Sequence, residues 1–114
     1  MIVDDDPQIL RLVEKMLRAR PFKVLAAPRP GEALEICARE PVHLLISDIS
    51  MPEMDGNKLA EKVLRLHPET RVLLISGHYR EEPPAAATLR VRFLKKPFFP
   101  SDLLDSMREL LPDL

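Results

Sequence analysis

Apolar residues recur along the chain in two alternating rhythms. Short unbroken runs, Met1 to Val3, Phe22 to Ala27, His43 to Asp48, Arg71 to Ser76 and Val91 to Lys95, stop at turn residues or charges. Runs of this length bounded by turn chemistry predict buried β-strands. Between them, apolar residues are spaced for one face of a helix. Ile9, Leu10, Leu12, Val13, Met16 and Leu17 follow Pro7, which suits a first helical turn, and this helix ends by Pro21. Ala33, Leu34, Ile36, Cys37 and Ala38 form the apolar face of a second helix, entered through Pro28 to Gly31 and closed by Pro41. Leu59, Ala60, Val63, Leu64 and Leu66 mark a third over 57–67, ended by Pro68. The two prolines at 83 and 84 confine a fourth helix to Ala85 through Arg90. Leu103, Leu104, Met107, Leu110 and Leu111 define the last, with Ser101 expected as its N-cap. Met51-Pro52 and Asp55-Gly56 supply turn residues before the third helix, with Gly56 able to take a positive φ that other residues resist.

Strand and helix alternate five times, which predicts an α/β fold, a parallel sheet with helices on both faces. Right-handed crossovers then bring the carboxyl ends of the strands to one edge, where ligand sites of such sheets lie. The chain has 114 residues, enough for one domain spanning 1–114. Its formal net charge of −1 gives no reason to expect nucleic acid or an anionic membrane as a direct partner. A single cysteine, Cys37, excludes an intrachain disulfide and is read as a small apolar residue. No apolar run is long enough to span a bilayer, and an amino terminus leading into three aspartates is unlike a signal peptide, so the expected location is cytoplasmic.

The predicted edge gathers Asp4 and Asp5 after strand one, Asp48 after strand three, Ser76 after strand four and Lys96 after strand five. The aspartates have plain structural alternatives: Asp48 could cap a turn, and the run Asp4 to Asp6 could cap a helix dipole instead of holding a cation. Taken together, converging carboxylates call for a hard cation such as Mg²⁺. A lysine beside them can bind phosphoryl oxygens and a hydroxyl can donate to them. These are the parts needed to transfer a phosphoryl group to an aspartate.

Val3-Asp4-Asp5, the stretch Asp48-Ile-Ser-Met-Pro-Glu-Met-Asp-Gly56, Ser76-Gly77 and Lys96-Pro97-Phe98 occur in the order of a known family. On these motifs the chain resembles the receiver domains of bacterial two-component response regulators. The resemblance implies a flavodoxin-like, doubly wound five-stranded parallel sheet of order 2-1-3-4-5. It implies that Asp48 accepts a phosphoryl group from a histidine kinase or phosphotransfer protein. Mg²⁺ would be bound by Asp5 and Asp48, by Asp4 through water, and by the backbone carbonyl of Ser50. Ser76 and Lys96 would contact the phosphoryl group, and Ser76 with Phe93 would form the switch. The output surface implied is that of the fourth helix, fifth strand and last helix. A cis bond before Pro97 is also implied, and so is a role for Ser50 and His78 in tuning dephosphorylation.

The chain departs from the family in a short first strand, in the Pro83-Pro84 segment, and in Thr88 to Val91 before strand five. A shortened fourth helix before such a strand also resembles the terminal receiver of hybrid sensor kinases. Function as a signalling domain rather than an enzyme follows from the same resemblance. Two other readings stand beside it: a receiver-like interaction module independent of phosphorylation, and a Mg²⁺-dependent phosphohydrolase using Asp4 and Asp6. His43 and His67 are read as structural or solvated, and for His78 a solvated loop position stands equally with a functional one.

Overall fold

The computed structural model describes residues 1–20, 23–77 and 90–111. Its strands are β1 (Ile2–Val3), β2 (Ala26–Ala27), β3 (Leu44–Asp48), β4 (Arg71–Ser76) and β5 (Val91–Lys95). Its helices are α1 (Pro7–Arg18), α2 (Pro30–Arg39), α3 (Gly56–Leu66) and α4 (Pro100–Leu110). All strand pairs are parallel, and the sheet order is β2-β1-β3-β4-β5, as the resemblance implied.

The central strands β3 and β4 are mostly apolar because both faces are covered. Side chains alternate between two cores. Val3, Leu45, Val72 and Leu74 pack on one face with Ala33 and Cys37 of α2 and Leu59 and Val63 of α3. Ile2, Ile46, Leu73 and Ile75 pack on the other with Val13 and Leu17 of α1 and Leu103, Met107 and Leu110 of α4. A one-residue slip of β3 or β4 would exchange these two sets, so the register is tightly specified.

Helix ends are set by local chemistry. The Asp6 carboxylate accepts a hydrogen bond from Gln8 N at 2.9 Å and caps α1, whose first residue is Pro7. Asp55 caps α3 by accepting from Lys58 N at 2.8 Å. At α4 the expectation fails: Ser101 lies inside the helix, Phe99 occupies the N-cap position, and the Asp102 carboxylate accepts from Phe99 N at 2.8 Å. Pro100 starts this helix one residue before the serine, leaving Ser101 past the cap position.

Other expectations also shift. Strand two was expected over 22–27, of which Phe22 lies outside the described residues; among the described residues the ladder holds Ala26 and Ala27, because its neighbour β1 offers two residues to pair. Leu12 and Leu66 are 50% and 52% exposed, and Ala38 is exposed, although all three were assigned to apolar helix faces. Leu12 and Ala38 each stand one residue, about 100° of helix, from a fully inward neighbour. Gly56 has no positive φ. The expected fourth helix, the two prolines at 83 and 84, and His78 lie outside the described residues. Among the described residues, no helix is long and apolar enough to cross a membrane.

Candidate functional site

The carboxyl ends of β1, β3, β4 and β5 meet at one edge, and the side chains there form a compact acidic pocket. Asp4, Asp5 and Asp48 each present a carboxylate oxygen, all within 4.8 Å of one another. Asp4 is 1% exposed and Asp48 6%, whereas Asp5 is open to solvent. Lys96 reaches in from the β5 end, its Nζ 3.3 Å from Asp48 Oδ2 and 4.0 Å from Asp4 Oδ2. Two of the three carboxylates, Asp48 and Asp4, thus share the Lys96 ammonium.

Asp4 is the strained member electrostatically. Its Oδ1 accepts from Asp6 N at 2.9 Å, but Oδ2 is buried with no hydrogen-bond partner. Burial pushes its carboxyl up from 3.8 to about 6; the Asp6 N–H opposes this, Asp48 adds to it, Lys96 offsets part and Asp5 adds a little more. An orphaned buried carboxylate oxygen beside two further carboxylates fits a small divalent cation with hard oxygen ligands. The donor set therefore suits Mg²⁺.

The strand ends explain how each group arrives. Asp48 is the last residue of β3, paired with Ile75 of β4. Ser76 ends β4 and is buried; its carbonyl accepts from Lys96 N at 2.8 Å, tying the lysine backbone to the same edge. The Lys96–Pro97 bond is cis. Phe93 lies two residues before the end of β5, opposite Leu74, and is partly buried against the core shared with Met54 and Leu64. Ser50 is exposed in the loop two residues beyond Asp48.

The sequence-predicted residues Asp4, Asp5, Asp48 and Lys96 are thus brought together, with Ser76 at the adjacent strand end. Asp6 is not part of the pocket's acid pair: its carboxylate serves the α1 amino terminus. His43 is exposed, and the His67 Nε2 lies 2.7 Å from the Cys37 carbonyl oxygen, joining α2 to the end of α3.

Two contributors were missed. One is the Asp6 amide that anchors Asp4, a side-chain-to-backbone contact two residues on that an Asp-x-Asp turn can signal. The other is the reason for Gly56. A Cβ there would collide with the Asp48 carbonyl oxygen and approach Ile49 Cα to 2.9 Å, while Gly56 N donates to Ile49 O at 2.8 Å. Close approach, not a special φ, excludes a side chain directly behind Asp48.

Comparison with known proteins agrees with this geometry. The sequence matches the response regulator receiver domain over residues 1–108. It is 30% identical over 113 residues to the response regulator receiver protein CpdR of Brucella abortus, covering 97% of this chain and 94% of that protein. It is 35% identical over 99 residues to the transcriptional regulatory protein GlrR of Escherichia coli, covering 85% of this chain but only 22% of that regulator. The structure superposes on a CheY-like receiver domain protein from Methanospirillum hungatei with a TM-score of 0.83 at 30% identity, covering 98% of this chain and 91% of that one. The order of the strands, the acidic edge and the lysine opposite it have one family in common with these matches: the chain belongs to the response regulator receiver domains of two-component signalling.

Proposed function

We propose that this receiver domain accepts a phosphoryl group on Asp48 from the phosphohistidine of a histidine kinase or phosphotransfer protein. The observation that carries this reading is the pairing of Asp48 Oδ2 with Lys96 Nζ at 3.3 Å beside the orphaned Asp4 oxygen. Mg²⁺ would be held by Asp5 and Asp48, by Asp4 through a water, and by the Ser50 carbonyl. When bound it supplies positive charge to the phosphoryl oxygens.

Asp48 supplies the nucleophile. One carboxylate oxygen forms a bond to phosphorus as the bond from phosphorus to the donor nitrogen breaks, giving an acyl phosphate and a free imidazole. Lys96, held at the site by its backbone bond to Ser76, gives up its contact with the free carboxylate and pairs with a phosphoryl oxygen. Ser76 turns its hydroxyl toward the same group. Phe93, only partly buried, then has room to change its rotamer, which links the site to the surface of β5 and α4. On this reading residues 1–114 act as one signalling domain in the cytoplasm, not as an enzyme with an external substrate, and contact no nucleic acid.

Intact mass after incubation with acetyl phosphate tests this. One phosphoryl increment that requires Mg²⁺ and is lost in Asp48→Asn is the expected result. A folded protein that gains no mass, and binds its kinase equally well as Asp48→Asn, would instead favour an interaction module that ignores phosphate.

A further inference from the structure

Ser47 is a buried polar residue that the chemistry of the acidic pocket does not use. It is fully buried in β3, where Leu45 and Ile49 on either side of it pack on the α2/α3 core. Side chains alternate along a strand, so the Ser47 side chain faces that core and the Asp48 side chain faces away from it. A hydroxyl among apolar side chains is unfavourable without a partner. The Ser47 Oγ finds one in the next residue's backbone, donating to the Asp48 carbonyl oxygen at 3.0 Å. We propose that Ser47 is a positioning residue of the site, fixing the peptide between Asp48 and Ile49 so that the Asp48 carboxylate and the Ser50 carbonyl meet on one Mg²⁺. The inference rests on the reading of Asp48 given above.

The backbone around Asp48 shows why this peptide needs the hydroxyl. The register of β1 against β3 ends with Val3 opposite Ser47, so the ladder on that side stops before Asp48. On the other side Ile49 N donates to Ile75 O at 2.9 Å, which holds the N–H end of the peptide to β4. Its carbonyl end is held by the Ser47 hydroxyl, and the same oxygen packs so closely on Gly56 that a Cβ there would overlap it. One residue further on, Ile49 O accepts from Gly56 N at 2.8 Å, tying the loop that leads to Ser50. Serine therefore supplies a donor where an apolar residue like its neighbours Leu45 and Ile49 would only fill space. Without that donor the peptide is bonded at its N–H end, and rotation about it moves the Asp48 carboxylate on one side and the Ser50 loop on the other. Groups that orient metal ligands in this way act on metal affinity as well as on rate.

The test measures Mg²⁺ affinity of the unphosphorylated protein by calorimetry, well below Tm, for the parent, Ser47→Ala, Ser47→Thr and Ser47→Val. The last two add nearly the same bulk and differ in the hydroxyl. Ser47→Ala is expected to bind Mg²⁺ about tenfold more weakly than the parent, and Ser47→Val about tenfold more weakly than Ser47→Thr. Phosphorylation by acetyl phosphate at one subsaturating Mg²⁺ concentration is expected to slow in the same order. A hydroxyl with a merely structural part would lower Tm when removed and leave the Mg²⁺ affinity of each folded variant at its parent's value, and that result overturns the proposal. Should the branched variants fail to fold, Ser47→Ala against the parent decides. A parent that binds Mg²⁺ and is phosphorylated on Asp48, beside a Ser47→Ala variant that matches it, counts against Ser47 alone. A parent that does neither removes the Asp48 reading and this inference with it.

Discussion

Asp4 is a buried carboxyl with one oxygen lacking a hydrogen-bond partner, and its behaviour with pH follows from its surroundings. In the metal-free protein folding raises its carboxyl from 3.8 to about 6, so between those values the folded state holds more protons than the unfolded one. Stability then falls as pH rises through that window, and the full cost is present above about pH 6. Asp4→Asn is expected to remove this slope and to stabilise the metal-free protein at pH 7.5 by up to about 3 kcal/mol. Denaturant midpoints at pH 5 and 7.5 without divalent ions check it; a variant no more stable than its parent at pH 7.5 contradicts the cause assigned. Gly56 gives a second prediction. Because backbone atoms of Asp48 and Ile49 stand where a Cβ would go, Gly56→Ala is expected to cost about 3 kcal/mol and to slow phosphorylation by displacing Asp48. Urea unfolding beside a phosphorylation time course reads both effects. The sequence marked Gly56 as a turn glycine able to take a positive φ, and the structure assigns it a different reason: a turn glycine and a crowded glycine look alike until the neighbouring backbone is placed.

At the scale of elements, capping separates what sequence can and cannot reveal. Asp55 precedes α3 directly and its carboxylate reaches Lys58 N, so Asp55→Ala is expected to cost about 1 kcal/mol in thermal or chemical unfolding. Ser101→Ala is expected to cost less than about 0.5 kcal/mol, since the bond at the α4 entrance runs from Phe99 N to Asp102. Serine is the better cap by preference, yet Pro100 starts the helix earlier and overrides it. The strands β4 and β5 were legible to the residue because each short run ends abruptly at a polar group before a turn, and in β4 the run is buried almost throughout. β2 was not, because pairing depends on how much of β1 lies beside it. Leu12 and Leu66 show the same limit for helices: spacing identifies a stripe, while the packed neighbours decide how wide it is.

For the whole molecule, the alternation of five strands with helices was enough to predict a parallel sheet, and the strand order followed from the family resemblance and is observed. The convergence of Asp4, Asp5, Asp48 and Lys96 was legible for the same reason, since parallel strands deliver their carboxyl ends to one edge. The bond from Ser47 to Asp48 was not, because the serine side chain lies on the other face of the sheet and reaches Asp48 through its backbone carbonyl. A cation that binds the folded pocket alone must also stabilise the fold: at 100 times its dissociation constant, Mg²⁺ is expected to add about 2.7 kcal/mol, and Asp5→Asn to remove most of that gain. Thermal unfolding with and without Mg²⁺ measures it. The central claim is that phosphate is carried on Asp48. The most direct measurement is to treat the protein with acetyl phosphate and Mg²⁺, reduce the acyl phosphate with borohydride, and sequence the peptides by mass spectrometry. Homoserine at position 48 is the predicted result. Homoserine at position 4, 5 or 55 instead, or at no position in a folded protein, would contradict it.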